Sequence, residues 1–199
     1  MRRAVDIVVA AIALAVSSPL LLVTALAVVI DSPGNPFFRG WRVGKGGRDF
    51  RMWKLRTMTN RVGKGGPITG QDDPRVTRVG RLLRKTKLDE LPQFLNVLAG
   101  DMTLVGPRPE APEIVARYTA EQRAVLAVQP GVTGRMQIEA GEESESIPAG
   151  VDPQEYYVEH LMERKLRRDL DYLNVRTPLS DARIVFETAT LVWRAFAGK

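Results

Sequence analysis

From Ile7 to Ile30 every position is apolar or small, with Ser17, Ser18 and Thr24 as the only weakly polar members and no charge. A helix of this length can cross a hydrocarbon core of about 30 Å. Three arrangements fit the run. A signal peptide is one, because Arg2 and Arg3 give a basic start and Ala25-Leu26-Ala27 resembles a cleavage site, although the apolar part is long for that. A plain transmembrane helix is the second. The third is a re-entrant hairpin that enters and leaves by one face. Pro19 interrupts the middle of the run directly after Ser17 and Ser18. A proline there removes a backbone donor and clashes with the carbonyl of Ala15, and serine hydroxyls can satisfy the freed groups where water cannot. Arg2 and Arg3 precede the run and Arg39, Arg42 and Lys45 follow it. Positive residues on both flanks favour the cytoplasmic side for both, where a straight span would satisfy only one, but proline also kinks ordinary transmembrane helices, so these features leave span and hairpin both open.

Beyond the turn cluster Ser32 to Pro36, the alternation changes to short strands over Phe37–Val43 and Phe50–Leu55, joined around Gly44 to Gly47 as a hairpin. Arg61 to Asp73 is rich in glycine, lacks apolar periodicity and reads as a loop. Arg75–Lys87 reads as an amphipathic helix, with Val76, Val79, Leu82 and Leu83 on one face and Arg78, Arg81 and Lys85 on another. A second helix is expected from Glu90 to Leu98, with Leu91, Leu95 and Leu98 inward and Gly100 as its stop. Further helices are expected over Glu113–Val128, Gln154–Leu173 and Asp181–Phe196, separated by Pro130-Gly131 and the acidic loop Glu139 to Asp152. The last helix carries Ile184, Val185, Leu191, Val192 and Trp193 between Arg183 and Arg194. It fits a helix at a membrane interface or one packed on a soluble core.

Composition narrows the chemistry. The 199 residues include no cysteine and one histidine, His160. This excludes disulfides, Fe–S clusters and thiol nucleophiles, and His160 lies in a charged helix and is given no role. The formal charge is +6 and is unevenly spread. Arg39 to Lys87 holds 15 Lys/Arg against 3 Asp/Glu, a local +12, leaving −6 for the rest. A basic first half points to an anionic ligand or surface. The glycine-rich stretches match neither a dinucleotide fingerprint nor a P-loop.

Asp89 and Glu90 stand side by side after the arginine-rich helix, at the expected N-cap or first turn of the next one, where Pro92 is tolerated. The helix end and the nearby cations should keep Asp89 ionised at neutral pH. An ionised aspartate can act as a nucleophile or as a Mg²⁺ ligand. It can equally be a plain helix cap. In Gly106-Pro107-Arg108-Pro109, Pro107 and Pro109 fix the backbone on both sides of Arg108. A pre-positioned guanidinium suits phosphate. The plainer reading is a stiff loop with an exposed arginine. Lys54, Arg56, Arg78 and Arg135 are weaker candidates for the same work.

Taken in order, the motifs resemble one family over nearly the whole chain. They are Ser18-Pro19, Lys54 to Met58, Asp73 to Gly80, Leu88 to Gln93, Asn96 to Met102 and Leu104 to Glu110. The chain resembles the bacterial sugar transferases, specifically monotopic polyprenyl-phosphate phosphoglycosyl transferases of the minimal, single-domain kind. The resemblance implies transfer of a sugar 1-phosphate from a UDP-sugar to polyprenyl (undecaprenyl) phosphate, with release of UMP, as a first membrane step of glycoconjugate biosynthesis. It implies that Asp89 is the nucleophile of a covalent phosphosugar intermediate, and that Glu90 assists as a base or as an organiser of the site. Mg²⁺ would be the cofactor, with Asp89 its protein contact, and Arg108 would hold phosphate. The apolar run would be a re-entrant helix bent at Ser18-Pro19. The fold expected is α+β and mainly helical. A membrane helix over 1–31 would precede a catalytic domain over 32–199, with a small β-hairpin and amphipathic interfacial helices. The protein would be monotopic in the bacterial inner membrane, facing the cytoplasm. One departure is Gly131 to Ile138, where Arg135 replaces an aromatic residue that the family often has.

Two readings of other classes compete with catalysis. A membrane-anchored basic module would dock anionic lipid or nucleic acid, but only Trp41, Phe50 and Trp53 lie among its cations. Nucleic acid is therefore not an expected partner. A scaffold would bind without turnover. The basic module gives Asp89-Glu90 and the Pro-Arg-Pro segment no purpose. The sequence selects neither a sugar nor an oligomeric state.

Overall fold

The apolar run folds as one long helix, α1 (Arg2–Asp31), with Pro19 inside it. Pro19 has no N–H to offer the carbonyl of Ala15, and the Ser18 hydroxyl donates to that carbonyl at 2.8 Å instead. Ser17 and Thr24 likewise return their hydroxyls to Ala13 and Leu20. The computed structural model describes residues 2–59, 66–70, 73–140, 147–148 and 150–197. Most of the expected Arg61–Asp73 loop, and the centre of the acidic loop Glu139 to Asp152, lie outside the described residues.

Both ends of α1 pack on the rest of the chain. Near the start, Arg3 donates to the carbonyl of Val97 at 2.5 Å, and Asp6 accepts from the Thr103 hydroxyl at 2.7 Å. Ala10 joins a core cluster with Phe50, Met52, Val97 and Met102. Near the end, Val28 packs with Leu55, Leu83 and Leu88, and the Asp31 carboxylate accepts from the Val79 N–H at 2.9 Å. Val16, Leu22, Val23 and Leu26 leave a broad apolar face exposed.

The expected hairpin is present. Strands β1 (Phe37–Val43) and β2 (Asp49–Leu55) pair antiparallel from Phe37↔Leu55 to Val43↔Asp49. Gly46 and Gly47 take positive φ in the turn, where a Cβ would be strained. The inner face carries buried Phe50 and Met52. On the outer face, Arg39 stacks on Trp53 at 4.3 Å and Arg51 on Trp41 at 4.7 Å.

The helices that follow are shorter than their apolar periods suggest. Helix α2 spans Arg78–Lys85 and begins where the Thr77 hydroxyl caps the Gly80 N–H. Its inner face holds Val79 and Leu83, whereas Leu82 is exposed. Gly80 lies against the Thr57 backbone so closely that a Cβ would sit 2.2 Å from the Thr57 oxygen. A 3₁₀ turn over Leu88–Glu90 precedes α3 (Gln93–Ala99), which Gly100 ends in a left-handed cap.

The inward face of α3 also differs from the expected one. Gln93, Asn96 and Val97 are buried, and Leu95 and Leu98 are exposed, contrary to the expected Leu91-Leu95-Leu98 stripe. Leu91 alone of the three packs inward. Asn96 explains the choice, because its side-chain oxygen accepts from the Trp53 N–H and its amide donates to the Arg51 carbonyl, both at 2.9 Å. It joins α3 to β2 as a further strand would.

The expected helix over Glu113–Val128 is also divided. It forms α4 (Pro112–Val115) and a separate 3₁₀ stretch, Gln122–Ala127. Thr119 and Gln122 exchange side-chain-to-backbone hydrogen bonds, a capping box that starts a new element. Two three-residue strands that the pattern does not announce, β3 (Thr103–Val105) and β4 (Gly131–Thr133), pair in parallel. After β4 come α5 (Arg135–Ala140), α6 (Pro153–Tyr156), a π-helical turn at Tyr157–Leu161, α7 (Met162–Val175) and α8 (Pro178–Ala197). His160 is exposed and stacks on Tyr156. The α8 helix buries Ile184 against Leu104 and Val105 and exposes Leu179, Phe186 and Trp193.

Candidate active site

Lys54, Glu90 and Arg108 come from three different elements and meet at one carboxylate. Lys54 is on the inward face of β2, in step with Phe50 and Met52. Its Nζ lies 2.9 Å from Glu90 Oε1. Arg108 reaches the same carboxylate with both terminal nitrogens, at 2.6 Å to Oε1 and 3.3 Å to Oε2. Asp89 is buried beside them, with Lys54 Nζ at 3.8 Å.

The dyad is held by backbone more than by a helix cap. The structure places Asp89 inside the 3₁₀ turn Leu88–Glu90, and Pro92 caps α3. Of the two readings of Asp89, N-cap or first turn, the N-cap is corrected, because Lys87 caps the turn and Asp89 lies within its first turn. Lys87, directly before the turn, is the only non-glycine with positive φ among the described residues, at φ 58° and ψ 15°. Such a conformation is costly for a residue with a side chain and persists where the surroundings over-determine it.

The two carboxyls are driven in opposite directions. Burial pushes Asp89 up to about 6, against the pull of Lys54, Arg84 and Arg108, and the neighbouring Glu90 charge adds to the rise. The expectation that cations and a helix end dominate at Asp89 is thus reversed in direction, although a group near 6 is still mostly ionised at pH 7. Burial also opposes ionisation of Glu90, but Arg108 and Lys54 overcome it and hold its carboxyl well below the usual range. Two adjacent carboxyls with divergent environments suit two different tasks.

Arg108 is aimed by a pinned loop. The Gly106 N–H donates to Thr133 and the Gly131 N–H donates to the Pro107 carbonyl, both at 2.9 Å. A Cβ on Gly131 would lie 2.1 Å from the Gly106 nitrogen, so glycine is needed for this approach. Pro107 and Pro109 are buried and shape the loop. Downstream, the Glu110 carbonyl accepts from the Val43 N–H at 2.9 Å.

Three further candidates stand elsewhere. Arg56 gives its guanidinium to the carbonyls of Ser32 and Pro33, and so ties down the exit of α1. Arg78 lines a cleft of about 450 Å³ with Asp31, Arg75 and Arg81. Arg135 pairs with Glu139 at 2.6 Å and with Glu187 at 3.7 Å. Lys54 proves central although the sequence ranks it low. A cation on the buried face of a strand was the available signal. Arg84 bears on Asp89 from α2 and donates to the Thr57 hydroxyl at 3.0 Å. It was hidden within a helix full of arginines.

Among the described residues no three His, Asp or Glu side chains gather as a metal cage. Mg²⁺ does not require one, because one or two carboxylates with waters and substrate phosphates suffice. Asp89 fits that part, since both Glu90 oxygens are already engaged by Arg108 and Lys54.

A family profile described as bacterial sugar transferase matches residues 1–195. Among curated proteins, the chain is 39% identical over its whole length to the UDP-N-acetylgalactosamine-undecaprenyl-phosphate N-acetylgalactosaminephosphotransferase of Aeromonas hydrophila, covering 45% of that protein. It is 41% identical over 94% of its length to the UDP-glucose:undecaprenyl-phosphate glucose-1-phosphate transferase of Caulobacter vibrioides, covering 67% of it. A protein of the same description in Escherichia coli is 38% identical over the whole chain, which spans 41% of that relative.

Proposed function

Because the chain belongs to the bacterial sugar transferase family, we propose that it moves a sugar 1-phosphate from a UDP-sugar to polyprenyl phosphate and releases UMP. The relatives' names carry two sugars but share UDP-sugar and undecaprenyl phosphate, so the proposal rests on what they share. The observation that carries it is the buried Asp89 beside a carboxylate fixed by Lys54 and Arg108.

The chemistry follows from the two environments. An Asp89 oxygen attacks the phosphorus that bears the sugar. An O–P bond forms, the P–O bond to UMP breaks, and UMP leaves with the electron pair. A polyprenyl phosphate oxygen then attacks the same phosphorus and frees the Asp89 carboxylate. An anion is a poor nucleophile toward another anion unless cations stand close, and Lys54, Arg84 and Arg108 supply them. Glu90, held ionised by its two partners, acts as the organiser that keeps Lys54 and Arg108 at this spot rather than as a proton acceptor. When bound at Asp89, Mg²⁺ would neutralise diphosphate charge.

The same proposal includes a membrane arrangement. A helix of 30 residues is about 45 Å long if straight, and both ends of α1 bond to the body that holds the dyad. With the exposed apolar face around Pro19, this supports a re-entrant α1 that dips into one leaflet from the cytoplasmic face. There a soluble nucleotide sugar and a lipid phosphate can meet.

The test is UMP release by detergent-purified protein with Mg²⁺, polyprenyl phosphate and a panel of UDP-sugars. Turnover with at least one sugar is expected. None with any sugar would leave a binding scaffold as the better reading. For topology, reporters placed before Met1 and after Lys199 should both register the cytoplasm. Opposite sides would make α1 a full span.

A further inference from the structure

Behind the Arg108 loop lies a buried charged cluster that the reaction does not use directly. Glu110 accepts from the Tyr157 hydroxyl at 2.5 Å and from Lys165 Nζ at 2.6 Å, and Lys165 also donates to the Tyr157 oxygen at 3.0 Å. Glu110 and Lys165 are each less than a tenth exposed, and Tyr157 is fully buried. Apolar residues of similar volume commonly serve stability as well as a buried ion pair does. Stability alone therefore gives little reason for this cluster.

Its geometry connects it to Arg108. Glu110 is two residues beyond Arg108, across the fixed φ of Pro109. Tyr157 and Lys165 are eight residues apart, which in a regular helix would leave them about 80° out of line. The π-helical turn Tyr157–Leu161 inserts the extra residue that brings both onto one side, facing Glu110. π-Turns of this kind occur frequently at functional sites. The Glu110 carbonyl is held by Val43, next to the hairpin turn. The far end of the Arg108 loop is thus clamped from β1 and from the α6–α7 helix together.

We propose that Glu110, Tyr157 and Lys165 are positioning residues that aim the Arg108 guanidinium at Glu90. They touch no substrate and act only through the loop. The inference rests on the proposed transferase reading for its effect on rate, but its structural half can be measured without turnover.

Tyr157→Phe removes the hydroxyl and with it the hydrogen bonds to Glu110 and from Lys165, at nearly constant volume. In the folded variant, backbone amide exchange should quicken over residues 104–111 and at Val43, whose N–H donates to the Glu110 carbonyl, and stay unchanged across β2. The rate of UMP release should fall between about tenfold and a hundredfold, since small misplacements of a catalytic group cost that much. In an Arg108→Ala background the same change should have no further effect on rate, because the route through Arg108 is gone. A second variant, Glu110→Gln with Lys165→Gln, removes both charges together and should repeat this pattern even if Tyr157→Phe folds poorly. Unchanged exchange over 104–111 in either folded variant would overturn the proposal, as would rate losses that multiply with that of Arg108→Ala. If the wild-type chain releases no UMP, the transferase reading fails, and the exchange measurement still decides the clamp.

Discussion

Asp89→Asn should lower UMP release by at least about a thousandfold, the scale expected when a covalent nucleophile is lost, and the protein should remain folded. Asparagine keeps the shape and the burial but cannot form the acyl phosphate. A helix cap would leave substantial turnover, and retained activity in Asp89→Asn would remove the covalent role. The stability consequence has the opposite sign. Burial raises the folded pKa of Asp89 to about 6 from an ordinary value of 3.8. A raised carboxyl contributes stability that is fully present below pH 3.8 and lost as pH rises through 6. Ionised Asp89 therefore weakens the fold at pH 7, and Asp89→Asn should unfold at a higher temperature, by on the order of 1–3 kcal/mol. The gap between variant and wild type should open between pH 4 and pH 6.5, as measured by thermal unfolding in matched buffers. Activity should fall along an acid limb near pH 6, where Asp89 gains its proton. An inactive but more stable Asp89→Asn is the signature of a side chain kept for chemistry at the expense of the fold.

The candidate site was legible in the sequence where residue patterns are local and obscure where it depends on packing. Asp89-Glu90 and Gly106 to Pro109 stand out because adjacent carboxylates and doubled prolines are unusual over a few residues. The hairpin was equally visible, since period-two alternation and a glycine turn are local signals. The inward face of α3 was not. Its apolar residues invite a leucine stripe, yet Asn96 turns inward because its amide replaces a strand partner for β2. The effect of burial on Asp89 was also out of reach, because desolvation is a property of the assembled core and outweighed the cations visible in the sequence. The same holds for Glu110, Tyr157 and Lys165. Forty-seven residues separate Glu110 from Tyr157, and a π turn sets their alignment.

Arg108→Ala should be the most damaging change outside Asp89, because it affects both stability and rate. Glu90 is buried and depends on two cations for its low pKa. Removing one partner of a buried ion pair typically costs about 3–5 kcal/mol, as the remaining charge is stranded. Lys54 remains 2.9 Å from Glu90 Oε1, so the lower end, about 3 kcal/mol, is expected in chemical denaturation. Turnover should drop at least about a hundredfold, comparable to removing one preorganised donor from a developing charge. Two roles could produce that loss, holding Glu90 or holding substrate phosphate, and paired substitution separates them. Glu90→Gln with Arg108→Met removes the stranded charge, so most of the lost stability should return. If Arg108 serves only to fix Glu90, Arg108→Ala should be no worse in a Glu90→Gln background than Glu90→Gln alone. If it also binds phosphate, the double variant should lose a further factor, concentrated in KM for the UDP-sugar. The bidentate contact is made to Glu90, and Arg108→Lys keeps the charge but not the fork. Arg108→Lys should therefore recover stability better than it recovers rate.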